Sequence, residues 1–258
     1  MKVQFNYETT IRTLQRWTRK LDSGEWDLID KSTRPKILHT KITSEIESEV
    51  IKIRKETGWG EHKICEFVPS LSHASVYRIL SKNKLTQSNP NRKKRIKYIR
   101  WQRDHPNSLW QMDISDQKVD GKYCFAIIDD HERYCIGLFE LNNISTKIIT
   151  KLLDDQIEVH GKPREILTNN GAVFGLRNKH SRFDRWCRKR RIKHIRTAIH
   201  SPTTTGKIER FFQTLERELP YCKHNLELFR MRYNHFRPHS SLHGKAPADI
   251  YFSFESLF

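Results

Sequence analysis

No apolar stretch in this chain approaches the ~20 residues needed to cross a bilayer. The longest near-continuous run is only Cys124 to Ile128, which excludes a membrane-spanning helix. The opening Met1-Lys2-Val3-Gln4-Phe5-Asn6 has no secretory signal core. Cysteine is sparse: Cys65, Cys124, Cys135, Cys187 and Cys222 are scattered, odd in number and without a Cys-x-x-Cys pair. A disulfide framework and a cysteine zinc site are thereby excluded, and reduced thiols in a cytoplasmic setting are expected. Repeats and low-complexity tracts are absent. Acid is also in short supply, with 30 Asp and Glu against 48 Lys and Arg, a net charge of +18. An excess this large implies a polyanionic partner rather than solubility alone.

What is present bounds the architecture. At 258 residues the chain has room for one large domain and a smaller one. Its 36% hydrophobic and 10% aromatic content can build packed cores. Ile11, Leu14, Trp17 and Leu21 recur at near-helical spacing, with Arg12, Arg16, Arg19 and Lys20 between them; Gly24 ends that helix and Arg34-Pro35 marks a linker. Ile46, Val50 and Ile53 pattern a second helix, Ile64 and Phe67 a short third, and Val76, Ile79 and Leu80 a fourth after Pro69-Ser70. These last three read as a helix-turn-helix whose final helix presents Ser75, Arg78 and Lys82 to a DNA groove. The bland alternative is a three-helix bundle with a solvated basic face. The connector that follows holds six basic residues among the ten from Asn91 to Arg100, and Arg92, Lys93, Lys94, Arg95 and Lys97 are expected to track a phosphate backbone.

From residue 107 onward, strands alternate with helices. Trp110, Met112 and Ile114 point one way, Gln111 and Asp113 the other. Asp120-Gly121 signals a hairpin into a strand over 122–128, and a third strand covers 134–141. A helix over 145–159 is stopped by Gly161 and Pro163. A strand over 165–168, a basic helix over 182–191, a strand over 193–198 and two further helices to about 236 complete the reading. In the basic helix, Phe183 and Trp186 read as packing anchors beneath a cationic face. This element order is that of a ribonuclease-H-like α/β core, a five-stranded mixed sheet with helices, preceded by a small all-α region. The expected organisation is 1–36, the remnant of a first helix-turn-helix; 37–90, a helix-turn-helix domain; 91–106, a basic linker; and 107–258, the core with C-terminal helices.

Phosphodiester cleavage and strand transfer use two divalent ions ~3.5–4 Å apart. Mg²⁺ takes hard oxygen ligands and keeps several waters, so two or three carboxylates from different elements suffice. The sequence offers Asp113 on a strand, position 169 at a strand end and Glu209 on a helix. On a wheel at ~100° per residue, Ile208, Phe211, Phe212, Leu215 and Leu219 form an apolar face. Lys207, Arg210, Thr214 and Arg217 gather opposite as a DNA-facing stripe, and Glu209 lies beside the apolar face. Taken alone, Glu209 would be an ordinary surface glutamate. His235, His239 and His243 recur every four residues, but Pro238 and Gly244 break any helix that would make them a metal face.

Four strings in one order resemble the insertion-sequence transposases with a retroviral-integrase-type core. Trp110-Gln111-Met112-Asp113 resembles that family's Trp-x-x-Asp. Asp129-Asp130-His131-Glu132-Arg133-Tyr134 resembles its Asp-Asp-x-Ser-Arg-Tyr, and Gly206-Lys207-Ile208-Glu209-Arg210-Phe211 its Gly-Lys-Val-Glu-Arg-Phe. Tyr233-Asn234-His235-Phe236-Arg237-Pro238-His239 resembles its closing motif. The resemblance implies a Mg²⁺- or Mn²⁺-dependent, two-ion polynucleotidyl transferase that joins element ends to target double-stranded DNA as a homo-oligomer. It also implies a cytoplasmic, nucleoid-associated location without a membrane. Asp113, position 169 and Glu209 would be its catalytic metal ligands, with Lys207 and Arg210 on phosphates.

The departures carry equal weight. Where the family has Thr-Asp-Asn-Gly-Ser-Glu-Phe, this chain has Thr168-Asn169-Asn170-Gly171-Ala172-Val173-Phe174. Asn169 keeps a carbonyl oxygen and removes one negative charge, so the second ion's occupancy is expected to collapse and transfer to be severely impaired. Asp154 and Asp155 are weak substitutes, expected on a solvated helix face. The competing reading is a decayed or repurposed DNA-binding protein that regulates or interferes with an active relative. A deliberate Asn169 substitution is a third, against which drift at Val173, Thr203 and Thr205 speaks. The segment from Thr9 to Leu21 resembles a recognition helix whose supporting helices would lie upstream of Met1, so it is expected to be unstable or supported by another subunit; a misassigned start is the alternative.

Overall fold

The computed structural model describes residues 9–24, 42–86, 102–115, 121–175, 180–197 and 205–253. The chain divides into two compact units, Met1–Lys41 and Ile42–Phe258. The basic run 91–100, with Arg92, Lys93, Lys94, Arg95 and Lys97, lies outside the described residues, as does the expected linker at Arg34-Pro35.

In the first unit, helix α1 (Ile11–Asp22) begins where the Thr10 hydroxyl accepts the Thr13 N–H. None of its residues is buried, and Ile11 is 48% exposed. Leu14 and Trp17 are half-buried.

The second unit opens with three helices, α2 (Ser44–Thr57), α3 (Glu61–Cys65) and α4 (His73–Lys82). Thr43 and Ser72 cap α2 and α4 by accepting the Ile46 and Ser75 N–H groups. Gly58 ends α2 at φ +70°, in the left-handed region that glycine enters without strain. A Cβ there would stand 2.5 Å from the Tyr221 ring, so glycine also permits a close approach to the rest of the unit. Val50, Trp59, Ile64, Val68, Leu71, Val76, Ile79 and Leu80 form the bundle's core.

The sheet is built from β1 (Leu109–Ile114), β2 (Tyr123–Asp129), β3 (Cys135–Leu141), β4 (Glu165–Thr168) and β5 (Lys193–Arg196). Among the described residues its order is β3-β2-β1-β4-β5, with β1, β2 and β3 antiparallel and β1, β4 and β5 parallel. Helices cover both faces, which is why β2 reads as an unbroken apolar run rather than an alternation. Trp110, Met112, Phe125 and Ile127 face α5 (Thr146–His160) and α6 (Arg182–Lys189). Cys124, Ala126, Ile128 and Cys135 face α7 (Gly206–Glu218) and α8 (Leu226–His235). The mixed sheet between helical layers is the ribonuclease-H-like core anticipated from element order. A short helix α9 (Pro247–Tyr251), absent from the sequence reading, stacks Tyr251 on Tyr134 at 4.3 Å.

Glu218 joins bundle to core. Its carboxylate accepts from Trp59 Nε1 at 3.1 Å, Lys63 Nζ at 3.0 Å and Arg237 Nε at 2.9 Å. Burial alone would raise its pKa, but Arg237 and Lys63 outweigh that and hold it below the usual glutamate range.

Candidate active site

Asp113 lies near the end of β1, Asn169 follows β4 and Glu209 sits in the first turn of α7. In the β1–β2 ladder Asp113 stands opposite Ala126 and Gln111 opposite Ile128. Directly opposed residues share a sheet face, and Ala126 and Ile128 belong to the face covered by Ile208 and Phe211 of α7. Asp113 and Glu209 are therefore on the same side of the sheet.

Asp113 and Asn169 meet directly. Asn169 Nδ2 donates to Asp113 Oδ1 at 2.7 Å, and the Gly171 N–H donates to Asn169 Oδ1 at 2.8 Å. Those two neighbours fix the amide's orientation: the peptide N–H can only donate, and a carboxylate only accepts. A Cβ on Gly171 would lie 2.8 Å from Asn169 Oδ1, so the turn needs glycine to close onto the amide. Asp113 Oδ1 also accepts the Ile114 N–H at 2.8 Å. Glu209 is exposed, and its Oε1 accepts the Thr205 hydroxyl at 2.6 Å. Among the described residues, no three His, Cys, Asp or Glu side chains are grouped to hold a metal.

Behind this site lies an acidic cluster that the sequence reading matched to a family string without assigning it a role. Asp129, Asp130 and Glu132 are all fully buried. Asp129 accepts the N–H groups of His131 at 2.8 Å and Asn107 at 2.7 Å. Asp130 accepts Gln111 Nε2 at 2.7 Å, the Arg103 N–H at 2.8 Å, and the Lys207 ammonium. Neither oxygen of Glu132 meets a donor of ordinary geometry. Burial and the neighbouring Asp129 charge push the Glu132 carboxyl up to about 9; burial, opposed by the two N–H bonds, takes Asp129 up to about 7.

A second network braces the Thr168–Asn169 corner. His194 Nε2 lies 2.9 Å from Thr168 Oγ1, and its Nδ1 lies 2.8 Å from Asp184 Oδ1. Asp184 accepts Ser181 Oγ at 2.5 Å and pairs with Arg196. Burial opposes its ionisation, yet Ser181, His194 and Arg196 together hold its pKa at about 2. No sequence periodicity marks these residues, because their partners come from separate elements.

Ser75 is partly buried, with its hydroxyl 3.0 Å from Ser72 Oγ; Arg78 is exposed; Lys82 pairs with Glu47 at 3.0 Å. Tyr77, which the sequence reading passed over, is 53% exposed beside Arg78. On α7 the wheel's polar stripe does not hold together. Thr214 is buried and returns its hydroxyl to the Arg210 carbonyl, Lys207 turns inward to Asp130, and Arg210 and Arg217 stay exposed. Small and long polar side chains can satisfy themselves on backbone or buried acid, which a wheel does not encode. On α6, Phe183 is buried, and the Arg190 guanidinium lies 4.3 Å over the Trp186 ring while pairing with Asp154 at 2.6 Å. Asp154 is thus engaged away from the site. Arg182, Arg185, Arg188 and Lys189 are exposed.

The sheet order and a shared acidic face define a protein with a retroviral-integrase-type core. Two models described as integrase core domain match residues 103–202 and 190–247. The 39.2 kDa protein of insertion element IS476 from Xanthomonas euvesicatoria is 27% identical over 197 residues, covering 70% of this chain and 56% of that protein. The 31.7 kDa protein of insertion element IS407 from Burkholderia multivorans is 24% identical over 157 residues, covering 56% of this chain and 55% of that protein. In fold, the chain is similar to a chain of the simian T-cell lymphotropic virus intasome in complex with PP2A regulatory subunit B56 gamma. That match has a TM-score of 0.52 and 20% identity, and it covers 78% of this chain and 74% of the other. The chain carries an integrase core domain over residues 103–247 and is similar in sequence to these insertion-element proteins. It spans about half the length of these insertion-element relatives.

Proposed function

We propose that this protein grips double-stranded DNA as a transposase-like subunit whose strand-transfer chemistry is impaired at Asn169. The observation that carries this reading is the Asn169–Asp113 hydrogen bond of 2.7 Å. In the family's pattern, position 169 would add a carboxylate to a site for two divalent cations. Here an amide NH₂ points at Asp113 and the amide oxygen is held by the Gly171 N–H. Turning the oxygen toward a cation would break both bonds, and two carboxylates return −2 against the +4 of two Mg²⁺. The donor set does not fit a two-ion Mg²⁺ or Mn²⁺ site. What the chain retains is a DNA-binding surface: exposed Arg78, Arg210, Arg182, Arg185 and Arg188, together with the basic run around Arg92–Lys97, on a chain of net charge +18.

A subunit that assembles on element ends and transfers poorly would interfere with an active relative by mixed assembly, and the self-satisfied Asn169 site favours that second reading. The test is strand transfer into double-stranded DNA with Mg²⁺ or Mn²⁺, comparing the chain with its Asn169→Asp variant. The variant is expected to gain at least about a hundredfold, on the scale at which a site's charge-stabilising groups act. Equal activity in both would overturn the reading.

A further inference from the structure

The buried Asp130 holds the chain two residues before Asp113 and two residues before Glu209. Gln111 Nε2 donates to its Oδ1 at 2.7 Å, and Gln111 lies two residues before Asp113 on the same face of β1. The Lys207 ammonium donates to the same Oδ1 and to the Asp130 carbonyl at 3.1 Å, and Lys207 lies two residues before Glu209 in the first turn of α7. The remaining carboxylate oxygen takes the Arg103 N–H at 2.8 Å, and the Asp130 N–H donates to the Leu109 carbonyl at 2.9 Å. With zero exposure, this carboxylate has no room to shift without leaving a buried charge unpaired. Ile208 between Lys207 and Glu209 is buried against the same sheet face, so the first turn of α7 has two adjacent anchors.

The geometry points to Asp130 and Lys207 as positioning residues that set the separation of Asp113 and Glu209. This rests on the reading of Asp113, position 169 and Glu209 as the family's acidic site. It gives Lys207 an inward task and leaves phosphate contact on α7 to the exposed Arg210. Supporting groups of this kind typically change metal affinity by 10–100-fold.

The experiment uses the full chain carrying Asn169→Asp, which restores a third carboxylate, and titrates Mn²⁺ alone by electron paramagnetic resonance. Adding Lys207→Met is expected to weaken Mn²⁺ affinity by at least about tenfold, while Lys207→Arg, which keeps the cation, restores most of it. Amide hydrogen exchange at Glu209 and Arg210 is expected to accelerate in Lys207→Met and not in Lys207→Arg, with circular dichroism showing both folded. Unchanged Mn²⁺ affinity in the Met variant overturns the assignment. Should Asn169→Asp itself bind no Mn²⁺, the three-residue site fails instead. The exchange data then decide the positioning role alone, and equal exchange in the Met and Arg variants overturns it.

Discussion

Glu132 and Asp129 put two carboxyl groups into one buried space, and their hydrogen bonds sort them. Asp129 accepts two peptide N–H groups, which favour its ionised form, whereas Glu132 meets no donor and holds the proton. Asp130, with Lys207 and Arg133 beside it, supplies the surrounding charge. The consequence is a stability that depends on pH with a definite sign. A carboxyl whose folded pKa stands above its unfolded value, ~3.9 for Asp and ~4.3 for Glu, binds more protons folded than unfolded. Its contribution is complete below that unfolded value and is lost as pH rises through about 7 for Asp129 and about 9 for Glu132. Thermal melts from pH 5 to 9.5 are expected to show a falling Tm, each kcal/mol lost lowering it by ~2–4 °C. Glu132→Gln, which keeps the shape and removes the titration, should flatten the part above pH 7. Parallel slopes for the two proteins would refute the assignment of the proton to Glu132.

Among elements, the joint between bundle and sheet concentrates in Glu218, the last residue of α7. Trp59 and Lys63 reach it from the bundle, and Arg237 from beyond α8. Glu218→Gln keeps much of the shape and strands two cations in a mostly buried position, so a loss of about 3 kcal/mol is expected, the lower end for breaking a buried pair. Urea unfolding should show the midpoint falling, with the bundle and sheet still unfolding as one transition. A change below about 0.5 kcal/mol would mean the joint is held by packing at Gly58 and Tyr221 instead. The sequence made these helices legible through apolar spacing and through caps such as Thr43 and Ser72. It did not reveal the joint, because α7's buried polar members, Thr214 and Glu218, look on a wheel like solvent-facing residues.

For the whole molecule, the excess of 48 basic over 30 acidic residues means that the proposed grip on DNA would be driven by counterion release. The log of the association constant should fall linearly with log salt, with a slope of about −0.9 per phosphate neutralised. Arg78→Ala and Arg210→Ala should each make that slope shallower by about 1. Filter binding or fluorescence anisotropy across a salt series measures it, and a flat response would remove the electrostatic account. Lys207→Met, by contrast, should leave the slope nearly unchanged, because its ammonium is already paired with Asp130.

By itself the sequence determined the five strands and the longer helices, their order, and hence the ribonuclease-H-like core, though not the short α9. It also put Asp113 on a strand, Asn169 at a strand end and Glu209 on a helix. Those properties are local: they follow from apolar periodicity, glycine and proline punctuation, and short strings. Only the tertiary structure decided that Lys207 faces Asp130 across 77 residues of chain, that the Asn169 amide turns its NH₂ toward Asp113, and that Glu132 is sealed beside Asp129. The physical reason is that a polar side chain's partner is chosen by burial and by which donors or acceptors arrive from elsewhere in the chain. Neither the residue's identity nor its neighbours in sequence encode that choice.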